Sequence, residues 1–208
     1  MIVAAVTVGL SAHRRDEYLQ AARIALEPGR VQIDLDLTAG IAVADAVLTE
    51  IDRDRTGTIS AEESRAYANV VLKAISLEAD GRSLHLELSD GQFPVTDAIR
   101  SGHGPIRLEL RAEMPSLGAG PHTLRYRNTH RPEIGAYLAN VLVPESDRVA
   151  ISAQRRDVDQ RELTVDFVLR AQPASGLHSA VRATLAVLTV AIVVLVCRRK
   201  FAIWSGLF

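Results

Sequence analysis

Val31-Gln32-Ile33-Asp34-Leu35-Asp36-Leu37-Thr38 alternates apolar and polar side chains without a break over eight positions. A period of two puts Val31, Ile33, Leu35 and Leu37 on one face of an extended chain and Gln32, Asp34, Asp36 and Thr38 on the other, the pattern of a half-buried strand. The same alternation recurs in Leu84, Leu86 and Leu88 against His85 and Glu87, and in Ile106, Leu108 and Leu110 against Arg107 and Glu109. Asp80-Gly81, between Leu77 and Leu84, is a hairpin turn signal. Gly118 to Pro121 breaks the chain before a further strand at Thr123 to Arg127, and Val149 to Ala153 and Leu163 to Leu169 add two more. About seven short strands with helices confined to one insertion predict a mainly β (α+β) fold, an antiparallel β-sandwich. No internal repeat is evident.

The insertion lies at 41–75. Its centre, residues 52–63, reads Asp-Arg-Asp-Arg-Thr-Gly-Thr-Ile-Ser-Ala-Glu-Glu. Asp52, Asp54 and Thr56 supply side-chain oxygens at positions 1, 3 and 5 of this run, Thr58 a carbonyl at 7, Ser60 a hydroxyl at 9, acting through water, and Glu63 a bidentate carboxylate at 12. That spacing, with Gly57 at position 6 for the sharp turn, matches a calcium-binding EF-hand loop. Val43, Val47, Leu48 and Ile51 before it, and Tyr67, Val70, Val71 and Ile75 after it, recur at helical spacing, so the reading is helix, loop, helix. The expected cofactor is Ca2+. Three carboxylates, a Thr at position 5 and two arginines within the loop place the expected dissociation constant on the order of 10⁻⁴ to 10⁻³ M.

Outward from this core the ends are apolar. Residues 1–12 are uncharged and read as the last part of a secretory signal peptide, whose removal leaves His13 first; the other reading is a short first strand. Residues 13–171 then form one extracytoplasmic domain, about 160 residues being enough for a proper core. Gln172 to Gly176 is a linker and 177–197 a transmembrane helix, its stretch from Ala183 to Cys197 free of charge and Arg182 snorkelling to the interface. Arg198, Arg199 and Lys200 open a cytoplasmic tail at 198–208 under the positive-inside rule. The expected location is a bacterial inner membrane, single-pass, with the N-terminal domain in the periplasm. The 24 Lys and Arg nearly balance 25 Asp and Glu in 208 residues, so nothing suggests a nucleic-acid partner. The one cysteine, Cys197, leaves the domain no disulfide to rely on.

The succession of His13, then Glu17-Tyr18-Leu19, the alternating strand through Asp34 and Asp36, a single EF-hand and the Asp80-Gly81 hairpin resembles the extracytoplasmic N-terminal domains of bacterial proteins related to nickel/cobalt permeases. The resemblance implies a strand-rich domain with an inserted EF-like loop ahead of membrane helices. With one membrane helix in place of several, this chain has no permease channel of its own. His13, His85, His103, His122, His130 and His178 show no close ligand spacing and read as scattered surface residues, except that an N-terminal His13 can chelate copper or nickel. Arg125 to Arg131 is either a site for an anion or a solvated strand end, and Asp157 and Asp159 read as a charged turn. No nucleophile elbow, phosphate loop or catalytic carboxylate pair appears, so the chain is not expected to be an enzyme. Two functions follow. One is a membrane-anchored extracytoplasmic calcium-binding module with a structural or interaction role toward another envelope protein. The other is an accessory metal-handling protein for a nickel, cobalt or copper transporter.

Overall fold

The computed structural model describes residues 16–172, all but the last of which belong to one unit ending at Ala171. The apolar segments 1–12 and 177–197, and with them His13, lie outside the described residues. Among the described residues no helix is long and apolar enough to cross a membrane.

The elements in chain order are β1 (Tyr18–Glu27), β2 (Arg30–Ala39), α1 (Ala44–Ile51), α2 (Ala61–Lys73), β3 (Ile75–Ala79), β4 (Arg82–Ser83), β5 (Glu87–Gln92), α3 (Thr96–Arg100), β6 (Ile106–Glu113), β7 (Gly120–Asn128), β8 (Gly135–Val141), β9 (Val149–Arg156) and β10 (Glu162–Leu169). The strands make two five-stranded sheets, in the orders β5-β6-β2-β1-β8 and β4-β3-β7-β10-β9. Each sheet buries one face because its longer inner strands keep their period of two. Ile24 and Leu26 of β1, Val31, Ile33, Leu35 and Leu37 of β2, and Ile106, Leu108 and Leu110 of β6 are all buried. In register they stack as Ile24 beside Ile33 and Leu35 beside Leu108. Leu124 and Tyr126 of β7 and Leu163, Val165 and Phe167 of β10 do the same in the second sheet, and both sets belong to one buried apolar cluster. The β1–β2 hairpin closes over Pro28 and Gly29, where Gly29 takes φ +92°, a conformation costly for any other residue.

Two expectations need correction. The first sheet is mixed, since β8 runs parallel to β1, Tyr18 standing beside Gly135 and Ile24 beside Val141. The chain reaches β8 by crossing from β7 in the other sheet rather than through a hairpin, and only a hairpin forces the antiparallel direction. The predicted strand over Leu84 to Leu88 is also broken: β4 stops at Ser83 and β5 starts at Glu87. Those residues carry the chain from one sheet to the other, so they cannot hold a ladder, yet Leu86 is still buried. The strands number ten among the described residues, with β1 and β8 unforeseen, as was α3.

The helix pair sits between β2 and β3, where the chain passes between sheets. Val47, Leu48 and Ile51 of α1 and Tyr67, Ala68 and Val71 of α2 belong to the same buried cluster as the strands. Val70 is an exception to its helical spacing and is 44 % exposed, and Ile75, expected on the same helix, is buried as the first residue of β3 because α2 ends at Lys73. The polar side chains buried under α2 are hydrogen-bonded. Tyr18 and Tyr67 hydroxyls meet at 2.8 Å and the Tyr67 hydroxyl lies 3.1 Å from His130 Nε2. Gln20 Nε2 donates to the His130 carbonyl at 2.7 Å, Asn128 Nδ2 donates to Gln20 Oε1 at 2.8 Å, and the His130 N–H donates to Asn128 Oδ1 at 2.9 Å. A chain of partners of this kind is what makes burial of polar groups tolerable.

Candidate metal centre

Helix α1 ends at Ile51 and α2 begins at Ala61, so residues 52–60 form a tight loop between two packed helices. The loop turns on two left-handed residues, Arg55 at φ +59° and Gly57 at φ +80°. A Cβ on Gly57 would meet nothing within 4 Å, so it is backbone conformation rather than space that favours glycine there. Ser60 caps α2: its Oγ accepts from the Glu63 N–H, and the Glu63 carboxylate accepts from the Ser60 N–H, a complete capping box.

One oxygen from each of Asp52, Asp54 and Glu63 lies within 4.8 Å of the others. The backbone holds them there. Asp52 accepts from the N–H groups of Thr56 at 3.0 Å and Gly57 at 2.9 Å, and Asp54 accepts from Thr56 at 3.1 Å. Glu63 Oε1 accepts from the Arg53 N–H at 2.8 Å, and its Oε2 from the N–H and hydroxyl of Ser60 at 2.9 and 2.8 Å. These bonds, those from Ser60 first, favour the ionised form and hold the Glu63 carboxyl below its usual pKa. At 9 % exposure Glu63 joins the start of the loop to the first turn of α2. The Asp52 oxygens and Asp54 Oδ1 each take one N–H and keep a lone pair for a cation, whereas Glu63 Oε1 accepts from the N–H groups of both Arg53 and Asp54 and Oε2 accepts twice from Ser60, so Glu63 binds an ion only by giving up a donor. The donor set is oxygen throughout, the chemistry of a hard divalent ion and not of a thiol- or imidazole-seeking one.

The other expected ligands divide. Thr56 Oγ1 donates to the Thr58 carbonyl at 3.2 Å, so these two oxygens face each other across the turn. Ser60 Oγ is committed to Glu63. Ile59, between them, packs against the apolar cluster as its position suggests. Among the described residues, no other cluster of three or more carboxylates, histidines or cysteines is arranged to hold an ion, and this one contains no histidine.

Several residues that steady the site carry no motif. Thr96, the first residue of α3, donates its hydroxyl to the Gly57 carbonyl at 2.9 Å from 39 positions away. Arg100 at the other end of α3 pairs with Asp45 of α1 at 2.9 Å. Arg131 bridges Glu50, in the last turn of α1, and Glu133. His130 departs from the surface reading given to the histidines: it is 3 % exposed, and burial pushes its pKa down to about 4 against the opposing pull of the Glu50 carboxylate. The stretch from Arg125 to Arg131 is therefore only partly a solvated strand end, since Tyr126, Asn128 and His130 point inward.

Comparison of the chain with protein-family models, with curated proteins and with solved structures finds no match, so it is the geometry of the loop and its supports that must carry a functional reading.

Proposed function

We propose that the protein is a calcium-binding module in which residues 41–75 act as a single EF-hand seated on a β-sandwich. The observation that carries the reading is the convergence of Asp52, Asp54 and Glu63, positions 1, 3 and 12 of the loop, to within 4.8 Å. The single buried cluster shared by the two sheets supports the sandwich, and the burial of Val47, Ile51, Tyr67 and Val71 in that cluster supports an EF-hand packed on its own domain. Thr56, Thr58 and, through water, Ser60 would complete the oxygen set from the loop itself, the Thr56 and Ser60 hydroxyls turning away from their partners Thr58 and Glu63 to do so. The role is structural or interactive, not enzymatic. The apolar segment 177–197 followed by Arg198, Arg199 and Lys200 supports a single-pass anchor with the domain outside the cytoplasm. A partner in the envelope, or a transporter, fits that placement. Handling of nickel, cobalt or copper would draw on His13, which has no support from the oxygen-only cluster.

The test is calcium titration of the full chain beside Glu63→Gln, which keeps shape but removes charge. Calcium at about ten times Kd adds about 1.4 kcal/mol to the native state, or about 3 to 6 °C in melting temperature for a domain of this size. Glu63→Gln should abolish that rise. Identical melting of both proteins with and without calcium would sink the reading.

A further inference from the structure

The segment Phe93–Arg100, between β5 and β6, touches all three parts of the helix–loop–helix. Phe93 meets Tyr67 of α2 edge to face, with ring centroids 6.3 Å apart. Thr96 donates to the Gly57 carbonyl in the loop at 2.9 Å. Arg100 pairs with Asp45 of α1 at 2.9 Å. An EF-hand ordinarily packs its loop against a second one; here the place beside the loop is taken by α3.

We propose that this segment is the built-in brace of the ion site, and that the Thr96 hydroxyl is the positioning residue that sets the loop's affinity for a hard divalent cation. The proposal rests on the calcium reading above. Its logic is local. The Gly57 carbonyl belongs to the peptide joined to Thr58, so a bond to it fixes the orientation of the chain one link before the Thr58 carbonyl. Gly57 is also the residue with most freedom to reorient, being a glycine at φ +80° with open space around it. Thr96 is only 8 % exposed, so its hydroxyl is shielded from the water that would otherwise compete for it. A loop held in the ion-ready shape before the ion arrives loses less freedom on binding, and rigidity of this kind tunes calcium affinity.

Linkage makes the effect reciprocal: if the brace favours the occupied loop, occupancy must favour the brace. Calcium is therefore felt in α3 and in β5, the outer strand of the first sheet.

The experiment compares the full chain with Thr96→Val, which keeps the branched shape and removes the hydroxyl, and with Thr96→Ser, which restores it, titrating each with calcium chloride by calorimetry. Loss of one hydrogen bond corresponds to a Kd about three- to tenfold weaker for Thr96→Val, with Thr96→Ser within about twofold of wild type. Hydrogen exchange on the wild type gives an independent reading even if Thr96→Val does not fold: calcium should slow exchange of the Ala98, Ile99 and Ser101 amides, which are bonded within α3. A wild type that takes up no calcium overturns the calcium reading and the brace together. A wild type that binds, with Thr96→Val binding equally well or with α3 exchange indifferent to calcium, overturns the brace alone.

Discussion

Acidification from pH 7.5 to pH 5 should remove stability at His130, and the size of that contribution follows from its surroundings. The imidazole is 3 % exposed, with Nε2 against the Tyr67 hydroxyl and the Tyr18 ring at a 6.0 Å centroid distance. Burial is the main cause that lowers its pKa to about 4; Glu50 opposes the shift and Arg131 reinforces it. The unfolded chain protonates the same ring at about 6.5. Because the folded pKa lies below the unfolded one, the contribution is complete above about pH 6.5 and is lost as pH falls toward 4. For a single proton with those two pKa values the loss is about 2 kcal/mol at pH 5 and about 3 kcal/mol at pH 4. Urea denaturation of the full chain across this range, beside His130→Gln, isolates the effect. The variant starts less stable at pH 7.5, because the Tyr67 contact is altered, but its curve should be flatter by about 2 kcal/mol between pH 7.5 and 5. Parallel pH profiles, or an NMR titration placing the His130 imidazole near 6.5, would refute the reasoning.

His122 should behave in the opposite sense. Its Nδ1 lies 2.7 Å from Asp80 Oδ2 and its Nε2 2.8 Å from the Gly118 carbonyl, two partners that only accept, so this geometry favours the imidazolium, which can donate from both nitrogens. Burial works against that charge, but the Asp80 and Gly118 bonds outweigh it and the pKa is raised. The stabilisation is thus present below about pH 6.5 and lost as pH rises through the folded pKa; His122→Gln should flatten the alkaline side of the stability profile, and an unchanged profile there counts against the double-donor geometry. Asn128→Ala strips partners from both Gln20 Oε1 and the His130 N–H. At about 1 to 3 kcal/mol per stranded buried group, the loss of about 2 to 6 kcal/mol in urea denaturation should exceed that of an exposed substitution such as Gln32→Ala, and a loss under about 1 kcal/mol would mean that water reaches the network.

How much of the fold was legible depended on what each strand buries. The inward set of β2 is Val31, Ile33, Leu35 and Leu37, and alternation reveals it at once. The inward positions of β1 include Gln20 and Ala22, and those of β8 are Tyr137 and Ala139. Small and polar residues carry little hydrophobic contrast and little strand preference, so these two strands were hidden, together with the parallel pairing they make. The leucines at 84, 86 and 88 show the converse. Their alternation announces burial correctly, but ladder pairing needs a neighbouring strand, and the chain is between sheets at that point.

The acidic cluster of the proposed ion site was legible in the sequence and its supports were not, for a related reason. Asp52, Asp54 and Glu63 are brought together by spacing within one loop, whereas Thr96, Arg100 and Arg131 reach it only because α3 and the loop before β8, about 40 to 80 residues away, are folded against it. Yet α2 ties the two scales together. Glu63 and Tyr67 are four residues apart on one helix and so lie on the same face. One ends in the carboxylate that holds the loop closed, and the other ends in the hydroxyl that links Tyr18 and His130 inside the domain. A helix cannot move one of these residues along its axis without moving the other. The loop motif therefore names the candidate ligands, while the buried tyrosines and histidine decide how firmly the twelfth position is held in place.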